Sequence, residues 1–299
     1  MSILNQPEQA QRPGMLARSI ALMKPVTWFP PTWAFLWGAV ASGGTTGQLD
    51  DVVRIIIGMI MAGPILCGLS QVINDYCDRE VDAINEPDRL IPSGQISLTQ
   101  VMVTIIALIV LGLAIGFFLG GNIPLLVVIG LFLAIAYSAP PLRAKRNGWY
   151  GNALAAISYE GLAWLAGHLT FAALTPASVL IAVLYSFGTH GIMSINDYKS
   201  IDGDRASGIN SIPVLYGPKR AAWLIVITMN LAQVGVIAAF LAWGQPLIAL
   251  FIAGILAAQL PLQRQFLRHP MDYFLKFSAF GVLIFVLGMP IAAFGLRAL

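Results

Sequence analysis

The stretch VINDYCDREVD, from Val72 to Asp82, ends a long apolar run with a burst of acidic residues. Its tetrapeptide INDY recurs in SINDYKSIDGD, from Ser194 to Asp204, where another apolar run also ends in acid. These two stretches and the residues just after the first hold nine of the 14 acidic residues. Because only 10% of the chain is charged, this concentration indicates that both places serve a function.

The composition predicts an integral membrane protein. Hydrophobic residues make up 58% of the 299 residues, and the mean hydropathy is +0.78. A soluble domain carries about 25% charged residues, more than twice the fraction found here. An apolar run of roughly 20 residues is long enough to span a bilayer as a helix. Nine such runs predict an all-α fold with nine transmembrane helices, at about 28–46, 52–73, 98–119, 123–141, 150–172, 176–196, 217–240, 246–265 and 274–296.

The positions of lysine and arginine predict the orientation, because cytoplasmic loops carry an excess of both. With the N-terminus in the cytoplasm and the C-terminus outside, only Arg54 and Arg297 fall on the outer side. The net charge of +3 therefore reflects topology and gives no indication of nucleic-acid binding. The residues on the cytoplasmic side are Arg12, Arg18, Lys24, Arg79, Arg89, Arg143, Lys145, Arg146, Lys199, Arg205, Lys219, Arg220, Arg264, Arg268 and Lys276.

We expect a single domain over residues 1–299, with residues 1–25 as a cytoplasmic or interfacial segment. Those residues lack the apolar core of a signal peptide. Residues 15–23 can instead lie along the membrane interface as a short helix. The second and sixth spans are the equivalent pair of a weak internal duplication, since each is followed by an acidic motif.

The spacing within the motifs predicts a metal site. Asn74, Asp78 and Asp82 recur every four residues, so on a continued helix they fall within about 80° of one another. In the second motif Asn196, Ser200 and Asp204 have the same spacing. Hard oxygen ligands of this kind suit Mg²⁺, which binds through one or two carboxylates and shares its shell with substrate phosphates.

The competing interpretation is that both motifs are solvated loops, since charged runs usually are. Two motifs with the same spacing on the same side argue against it. Basic residues also alternate with the acids, namely Arg79, Arg89, Lys199 and Arg205. A phosphate held between metal ions and basic side chains needs this mixture.

These residues also carry a family resemblance. NDYCDREVD, from Asn74 to Asp82, is similar to the N-D-x-x-D-x-x-x-D signature of the intramembrane aromatic prenyltransferases called the UbiA superfamily. Within that superfamily the chain resembles the chlorophyll and bacteriochlorophyll synthase branch, most of all the bacteriochlorophyll side. The further stretches that carry the resemblance are TWFPPTWAFLWG (Thr27 to Gly38), NEPDRLIPSG (Asn85 to Gly94), YSAPPLRAKRNGWYGN (Tyr137 to Asn152), YEGLAW (Tyr159 to Trp164) and NDYKSIDGDRASGINSIPV (Asn196 to Val214).

The resemblance implies a fold and a reaction. The helices would surround a central cavity that opens sideways to membrane lipid. A geranylgeranyl or phytyl group would pass from its diphosphate to the propionate of (bacterio)chlorophyllide a. A carboxyl with a pKa near 4 is already ionised at neutral pH, so the acceptor needs no general base. The location would be the inner membrane, or an intracytoplasmic photosynthetic membrane.

The resemblance also implies roles for individual residues. Two Mg²⁺ ions would be held by Asn74, Asp78, Asp82 and Asp204, assisted by Asp197 or Asp202. Many superfamily members carry aspartate where this chain has Ser200, which leaves open which of those two aspartates assists. Tyr137 would face the developing allyl cation or orient the diphosphate. The bases expected to contact diphosphate are Arg79, Arg143, Lys145, Lys199 and Arg205, although Arg143 and Lys145 also fit a positive-inside anchor.

Two residues within the spans are candidates for contact with the chlorin. Glu160 is the acid in the middle of a predicted span, where an ionisable group usually faces a cavity or the bundle interior. It either contacts the pigment or is bonded to a neighbouring helix. His190 is a candidate axial ligand for the chlorin magnesium, but it lies about 120° from the motif face of its helix, which favours a packing role.

Other functions are compatible with parts of the sequence. A prenyltransferase of this type can act on a quinone precursor or on haem. A secondary transporter or cation channel would also be polytopic, but transporters place ion sites near the membrane midplane. Here the acid lies at one edge of the predicted membrane region, which counts against transport.

Overall fold

The computed structural model describes residues 14–299, and within this range it contains helices and turns but no β-strand. The all-α prediction is therefore confirmed. Arg12 and the rest of the N-terminal segment before Gly14 lie outside the described residues. In chain order the helices are α1 (Met15–Leu22), α2 (Phe29–Ala41), α3 (Leu49–Asn85), α4 (Leu98–Leu119), α5 (Ile123–Ser138), α6 (148–169), α7 (Pro176–Lys199), α8 (Ile201–Ala206), α9 (Ile212–Ala242), α10 (Pro246–Arg268) and α11 (Pro270–Arg297).

All nine predicted apolar runs are helical, but they differ in length. Six helices in residues 14–299 are long and apolar enough to cross a membrane, namely α3, α4, α7, α9, α10 and α11. α5 is apolar but has 16 residues. α2 has 13 residues, which is about 20 Å against a hydrocarbon core of about 30 Å. The chain is thus a multi-pass membrane protein, while the count of nine spans stays a prediction, as does the single domain.

The two acidic motifs have different local structures. α3 continues past the predicted end at residue 73 to Asn85, so Asn74, Asp78 and Asp82 share one continuous helix. We call Asn74, Asp78 and Asp82 the first ladder, and Asn196, Ser200 and Asp204 the second ladder, because each set repeats every four residues. The prediction that the first ladder lies on one helix is confirmed. The expectation that its first acids follow the helix is wrong, because neither proline nor glycine occurs between Gly68 and Pro87 to end the helix earlier.

The second ladder does not lie on one continuous helix, so the prediction of a helical spacing in the second motif is wrong. α7 tightens to a 3₁₀ turn over Ser194–Lys199 and ends at Ser200, whose φ is −122° and ψ 12°. The carbonyl of Ser200 accepts a hydrogen bond from the Asp204 amide at 2.7 Å, as the residue before a new helix does. Four-residue spacing therefore spans a break between α7 and α8.

A backbone bridge joins the loop after α5 to the loop after α8. The Asn210 amide donates to the Arg146 carbonyl at 2.8 Å, and the Gly148 amide donates to the Asn210 carbonyl at 2.8 Å. The Asn147 side chain caps the start of α6 by accepting from the amides of Trp149 and Tyr150. The segment 139–147, called here the basic loop, is thereby fixed to the chain that follows the second motif.

Small residues let α2 pack closely against α6. A Cβ atom added at Gly167 would lie 2.0 Å from the Phe35 carbonyl oxygen, and one added at Gly38 would lie 2.0 Å from the Trp164 carbonyl oxygen. Close approach through glycine is the usual way in which membrane helices associate. This contact holds the short α2 in the bundle.

We expect Gly167→Ala to destabilise the folded protein by about 1–3 kcal/mol, because the added methyl group forces the two helices apart. The measurement is the midpoint of thermal unfolding in detergent. Gly254→Ala is the matched control, since a Cβ there would meet no atom within 4 Å. An unchanged midpoint for Gly167→Ala would contradict the close helix contact.

Candidate active site

A large cavity lies between helices α2, α3, α5, α6, α7 and α11. Its volume of about 960 Å³ is at the upper end of the range of roughly 300–1,000 Å³ for small-molecule sites. Asn74, Tyr137, Asn196 and Lys199 line it where the two acidic motifs meet, which we call the motif end. Most of the remaining wall is apolar. The cavity thus has a polar end and an apolar interior.

Three π-helical turns shape this cavity. They cover Met61–Cys67 in α3, Ile157–Leu162 in α6 and Phe277–Gly281 in α11. Each of the three contributes residues to the wall of the cavity. A π turn inserts an extra residue into a helix and is frequent at functional sites. Pro64 lies inside the first of these turns, where a proline cannot donate the usual helical hydrogen bond.

Asp78 lies one helical turn after Asn74, next to the motif end. Arg143 donates a hydrogen bond from Nη2 to one oxygen of Asp78 at 2.7 Å, and Lys145 donates to the other oxygen. Lys145 Nζ also donates to Asn74 Oδ1 at 2.8 Å. Burial lowers the pKa of Lys145, and the bond to Asp78 opposes that shift. Asn74 and Asp78 of the first ladder are therefore both bound by side chains of the basic loop.

Asp82 belongs to a second ion cluster on the same helix. Arg89 donates from Nη1 to Asp82 at 2.9 Å and from Nε to Glu86 at 2.6 Å, and it lies 3.7 Å from Asp75. Lys24 contacts Asp75 at 2.6 Å and also lines the cavity. Sequence reasoning did not predict Lys24 as a site residue. In the sequence it is only a basic residue shortly before the first predicted span.

Two of these bases have an unusual backbone conformation. Lys24 has a φ of 49° and Arg143 a φ of 38°, and they are the non-glycine residues with positive φ among residues 14–299. A side chain in this region costs of order 1–3 kcal/mol and persists where the surrounding structure enforces it. Since both bases pair with carboxylates of α3, the strain is stored where charge is concentrated.

Tyr137 and residues of both motifs share one end of the cavity. Asp197 is half-buried near Asp204, whose charge repels it, while the charge of Lys199 offsets part of that repulsion. The phenol of Tyr137 lies within electrostatic range of Asp78, Asp197 and Asp204. Tyr137 is therefore near the carboxylates of both motifs.

Four residues predicted for the site lie elsewhere. The Asp202 side chain is 99% exposed and pairs with Arg205 at 3.2 Å. Arg79 folds back over its own helix, donating to the Tyr76 carbonyl at 2.9 Å and to Glu80 at 3.0 Å. His190 has its Nε2 3.1 Å from the Trp149 carbonyl oxygen and stacks on the Trp149 ring. None of the four lines the cavity or contacts the Asp78 cluster. The carboxylates of Asp78, Asp82, Asp197 and Asp204 and the bases Arg143 and Lys145 also lie behind the cavity wall, which Asn74, Tyr137, Asn196 and Lys199 form at this end.

The donor set fits Mg²⁺ that arrives with a phosphate ligand. Within residues 14–299, no three Asp, Glu, His or Cys side chains converge as a ready-made metal cage. Mg²⁺ does not need one, since it commonly binds through one or two carboxylates and completes its shell with water and phosphate oxygens. The Asp78 carboxylate and the Asn74 amide oxygen, already shared by a single ammonium group, are donors of this type.

Comparison with known proteins places these features in a family context. A sequence profile of the UbiA prenyltransferase family matches residues 32–273. The bacteriochlorophyll synthase 34 kDa chain of Chloroflexus aurantiacus is 56% identical over 283 residues, which cover 95% of this chain and 91% of that protein. The chloroplastic chlorophyll synthase of Oryza sativa subsp. japonica is 44% identical over 282 residues, covering 92% of this chain and 75% of that protein.

A solved structure has the same fold. The structure of a UbiA homolog from Archaeoglobus fulgidus bound to DMAPP and Mg²⁺ superposes with a TM-score of 0.68. The match covers 92% of this chain and 99% of that chain, at 20% sequence identity. At this level of identity the likeness concerns the arrangement of the helices.

Arg89 offers a test of the ion cluster. We expect Arg89→Gln to lower the free energy of unfolding by about 1–3 kcal/mol, because it leaves the buried Asp82 without its cation. Arg205→Gln is the matched control, since its pair with Asp202 is exposed and is worth about 0–1 kcal/mol. The measurement is thermal unfolding of both variants in the same detergent. Equal stabilities would contradict the role given to Arg89.

Proposed function

The chain belongs to the UbiA prenyltransferase family, and on that premise we propose that it transfers a geranylgeranyl or phytyl group from its diphosphate to the propionate of (bacterio)chlorophyllide a. The likeness to bacteriochlorophyll and chlorophyll synthases over nearly the whole chain supports this pigment as the acceptor. The observation that carries the proposal is the Asp78 cluster, joined through Lys145 and Asn74 to the polar end of a largely apolar cavity of about 960 Å³. A prenyl diphosphate matches this cavity, because it has a charged diphosphate at one end and a long apolar isoprenoid chain.

We propose that the motif end faces the cytoplasm, with the N-terminus inside and the C-terminus outside. The excess of lysine and arginine on that side supports this orientation. The membrane is the inner membrane or an intracytoplasmic photosynthetic membrane, and the chain acts as one domain over residues 1–299. Both substrates then reach the cavity from the lipid phase.

The carboxylates of the two motifs are proposed to bind two Mg²⁺ ions. Asn74, Asp78 and Asp82 belong to the α3 side, and Asp204 with Asp197 belongs to the opposite side. Asp197 is preferred to Asp202 because it is half-buried near Asp204, whereas Asp202 points into solvent. Bound Mg²⁺ stabilises the charge on a departing diphosphate.

Basic side chains are proposed to hold the diphosphate from the other side. Arg143 and Lys145 neutralise Asp78, and Lys199 lines the cavity at the same end. Charge-assisted hydrogen bonds from these groups to phosphate oxygens strengthen as the leaving group gains charge. Arg79 and Arg205 pair with the exposed carboxylates of Glu80 and Asp202 and do not contact the Asp78 cluster, so their proposed contribution is long-range attraction of the anionic substrate.

The bond changes are a simple substitution. The bond between the allylic carbon and the diphosphate oxygen breaks, an oxygen of the pigment propionate bonds to that carbon, and diphosphate leaves. The propionate is ionised at neutral pH, so no proton has to be removed. Tyr137, which lines the cavity near carboxylates of both motifs, is proposed to orient the diphosphate or face the allylic carbon. The apolar walls keep water from the carbon.

The reaction is tested with purified protein in lipid vesicles, supplied with Mg²⁺, both prenyl diphosphates and both chlorophyllide classes. Mass spectrometry of the pigment identifies the ester, and pyrophosphate is measured in parallel. We expect a prenyl ester and an equal amount of pyrophosphate. Ester formed on a quinone precursor or haem but on neither pigment would overturn the pigment assignment. Membership of the prenyltransferase family argues against the transporter or channel alternative.

Asp78→Asn and Asp204→Asn are each expected to lower the rate of esterification by at least about 100-fold, since each removes a metal-binding charge from the leaving-group site. The readout is ester formed under saturating Mg²⁺, with thermal unfolding as the control for folding. Near-normal turnover in either folded variant would remove that residue from the metal site.

Asp197 and Asp202 form a matched pair for the second ion. Asp197→Asn is expected to lower esterification about 100-fold, whereas Asp202→Asn is expected to leave it near the wild-type level, because its carboxylate is in solvent. The same two variants are titrated with Mn²⁺ and prenyl diphosphate, with bound Mn²⁺ followed by electron paramagnetic resonance. Weaker binding in the Asp202 variant alone would reverse the assignment.

A further inference from the structure

Glu160 is a buried carboxyl group in the wall of the cavity. It belongs to the π turn Ile157–Leu162, is 3% exposed and lines the cavity. Its Oε2 atom has no hydrogen-bond partner, and no basic side chain pairs with the carboxyl group among residues 14–299. The metal and diphosphate chemistry at the motif end makes no use of it.

An unpaired carboxylate in this setting is unfavourable. A charged side chain in the middle of a membrane helix costs at least about 2.5–3.5 kcal/mol, and without a cation nearby the group takes up a proton instead. Glu160 is therefore a neutral carboxylic acid, which can donate one hydrogen bond. A buried donor without a partner is costly, so this group is suited to a ligand that supplies an acceptor.

The protein around Glu160 offers only neutral polar groups. The Thr189 side chain lies beside the carboxyl group and also lines the cavity. Tyr159, the preceding residue, is already engaged, since Gln71 donates to its hydroxyl at 3.1 Å. The buried hydroxyls of Tyr185 and Ser186 have no partner of their own. Glu160 and Thr189 thus form a neutral polar patch in a wall that is otherwise mostly apolar.

The patch lies deeper than the motif end. Thr189 precedes Asn196 by seven residues on α7, which places it about 10 Å further along the helix. An isoprenoid chain at that depth has no polar atom to offer. A tetrapyrrole whose propionate reaches the diphosphate extends its ring to this depth. The ring E ketone lies beside the propionate, whereas the acetyl group of a bacteriochlorin lies on ring A, further from it.

We propose that Glu160 donates a hydrogen bond to the ring A acetyl carbonyl of bacteriochlorophyllide a, and that it thereby selects this acceptor over a chlorin with a vinyl group at the same position. The inference rests on the proposed function. Glu160 is in this sense a specificity-determining residue, because a site built to hydrogen-bond a substrate group discriminates against the analogue that lacks it.

The experiment compares the wild type with Glu160→Gln and Glu160→Leu. Each is assayed for kcat/KM with bacteriochlorophyllide a and with chlorophyllide a, which carries the vinyl group, at a fixed concentration of Mg²⁺ and geranylgeranyl diphosphate. We expect Glu160→Leu to lower the preference for the acetyl pigment roughly tenfold, the worth of one hydrogen bond. Glu160→Gln should keep most of the preference, because its amide also donates.

A second measurement does not depend on turnover. The acetyl C=O stretch of bound bacteriochlorophyllide a is recorded by resonance Raman spectroscopy. It should lie at lower frequency in the wild type and in Glu160→Gln than in Glu160→Leu. A merely structural Glu160 would not move this band. A free acetyl frequency in the wild type would overturn the proposal even if Glu160→Leu failed to fold.

The kinetic outcomes are also distinct from a failure of the proposed function. An unchanged preference in Glu160→Leu, with or without an equal loss of kcat/KM for both pigments, would overturn the role of Glu160. The enzyme would still be a pigment prenyltransferase. Wild-type protein that esterifies neither pigment would instead overturn the proposed function itself, and with it the inference.

Discussion

The ion cluster between Asp78 on α3 and the two bases of the basic loop is the interaction on which the motif end depends. Arg143 and Lys145 each contact a different oxygen of Asp78, and Lys145 also reaches Asn74. Removing any partner would leave a charge in a partly desolvated place, where an unpaired charge is far more costly than the pair is stabilising. The positive φ of Arg143 is tolerated because this pairing, and the hydrogen bond from its amide to Ala139, fix the loop.

The same loop connects the two motifs. Its end at Arg146 is bonded through the backbone to Asn210, a few residues after Asp204. The amide of Ile209 in turn donates to the carbonyl of Asp204 at 2.8 Å. A displacement of the basic loop from α3 would therefore pull on the chain that carries the second motif. Asp78, the basic loop and the chain around Asp204 are thus connected through hydrogen bonds, although they are distant in sequence.

The outcome of the sequence predictions follows from which of them depended on local periodicity. The apolar runs, the helical first ladder and the family resemblance depended on local pattern, and each is confirmed. The second ladder failed because spacing alone cannot reveal that Ser200 leaves the helical region. The choice between Asp197 and Asp202 could not be made either, since it depends on which side of that break faces the cavity. Lys24 was missed because it reaches α3 from a segment distant in sequence, and Arg89 was named as a base that alternates with the acids but not as the partner of Asp82.

Charge in the cavity is confined to one end, and this has a chemical consequence for the proposed reaction. Lys199 and the Asp78 cluster give a diphosphate one place to bind, so the allylic carbon is held at a fixed depth. If a cation or an ionised acid were placed deeper, it would compete for the diphosphate or for its metal ions. The polar patch at Glu160 and Thr189 avoids that competition because it is neutral. A neutral donor can recognise an uncharged carbonyl of the pigment without disturbing the register of the reacting groups, which is why recognition and leaving-group stabilisation can share one cavity.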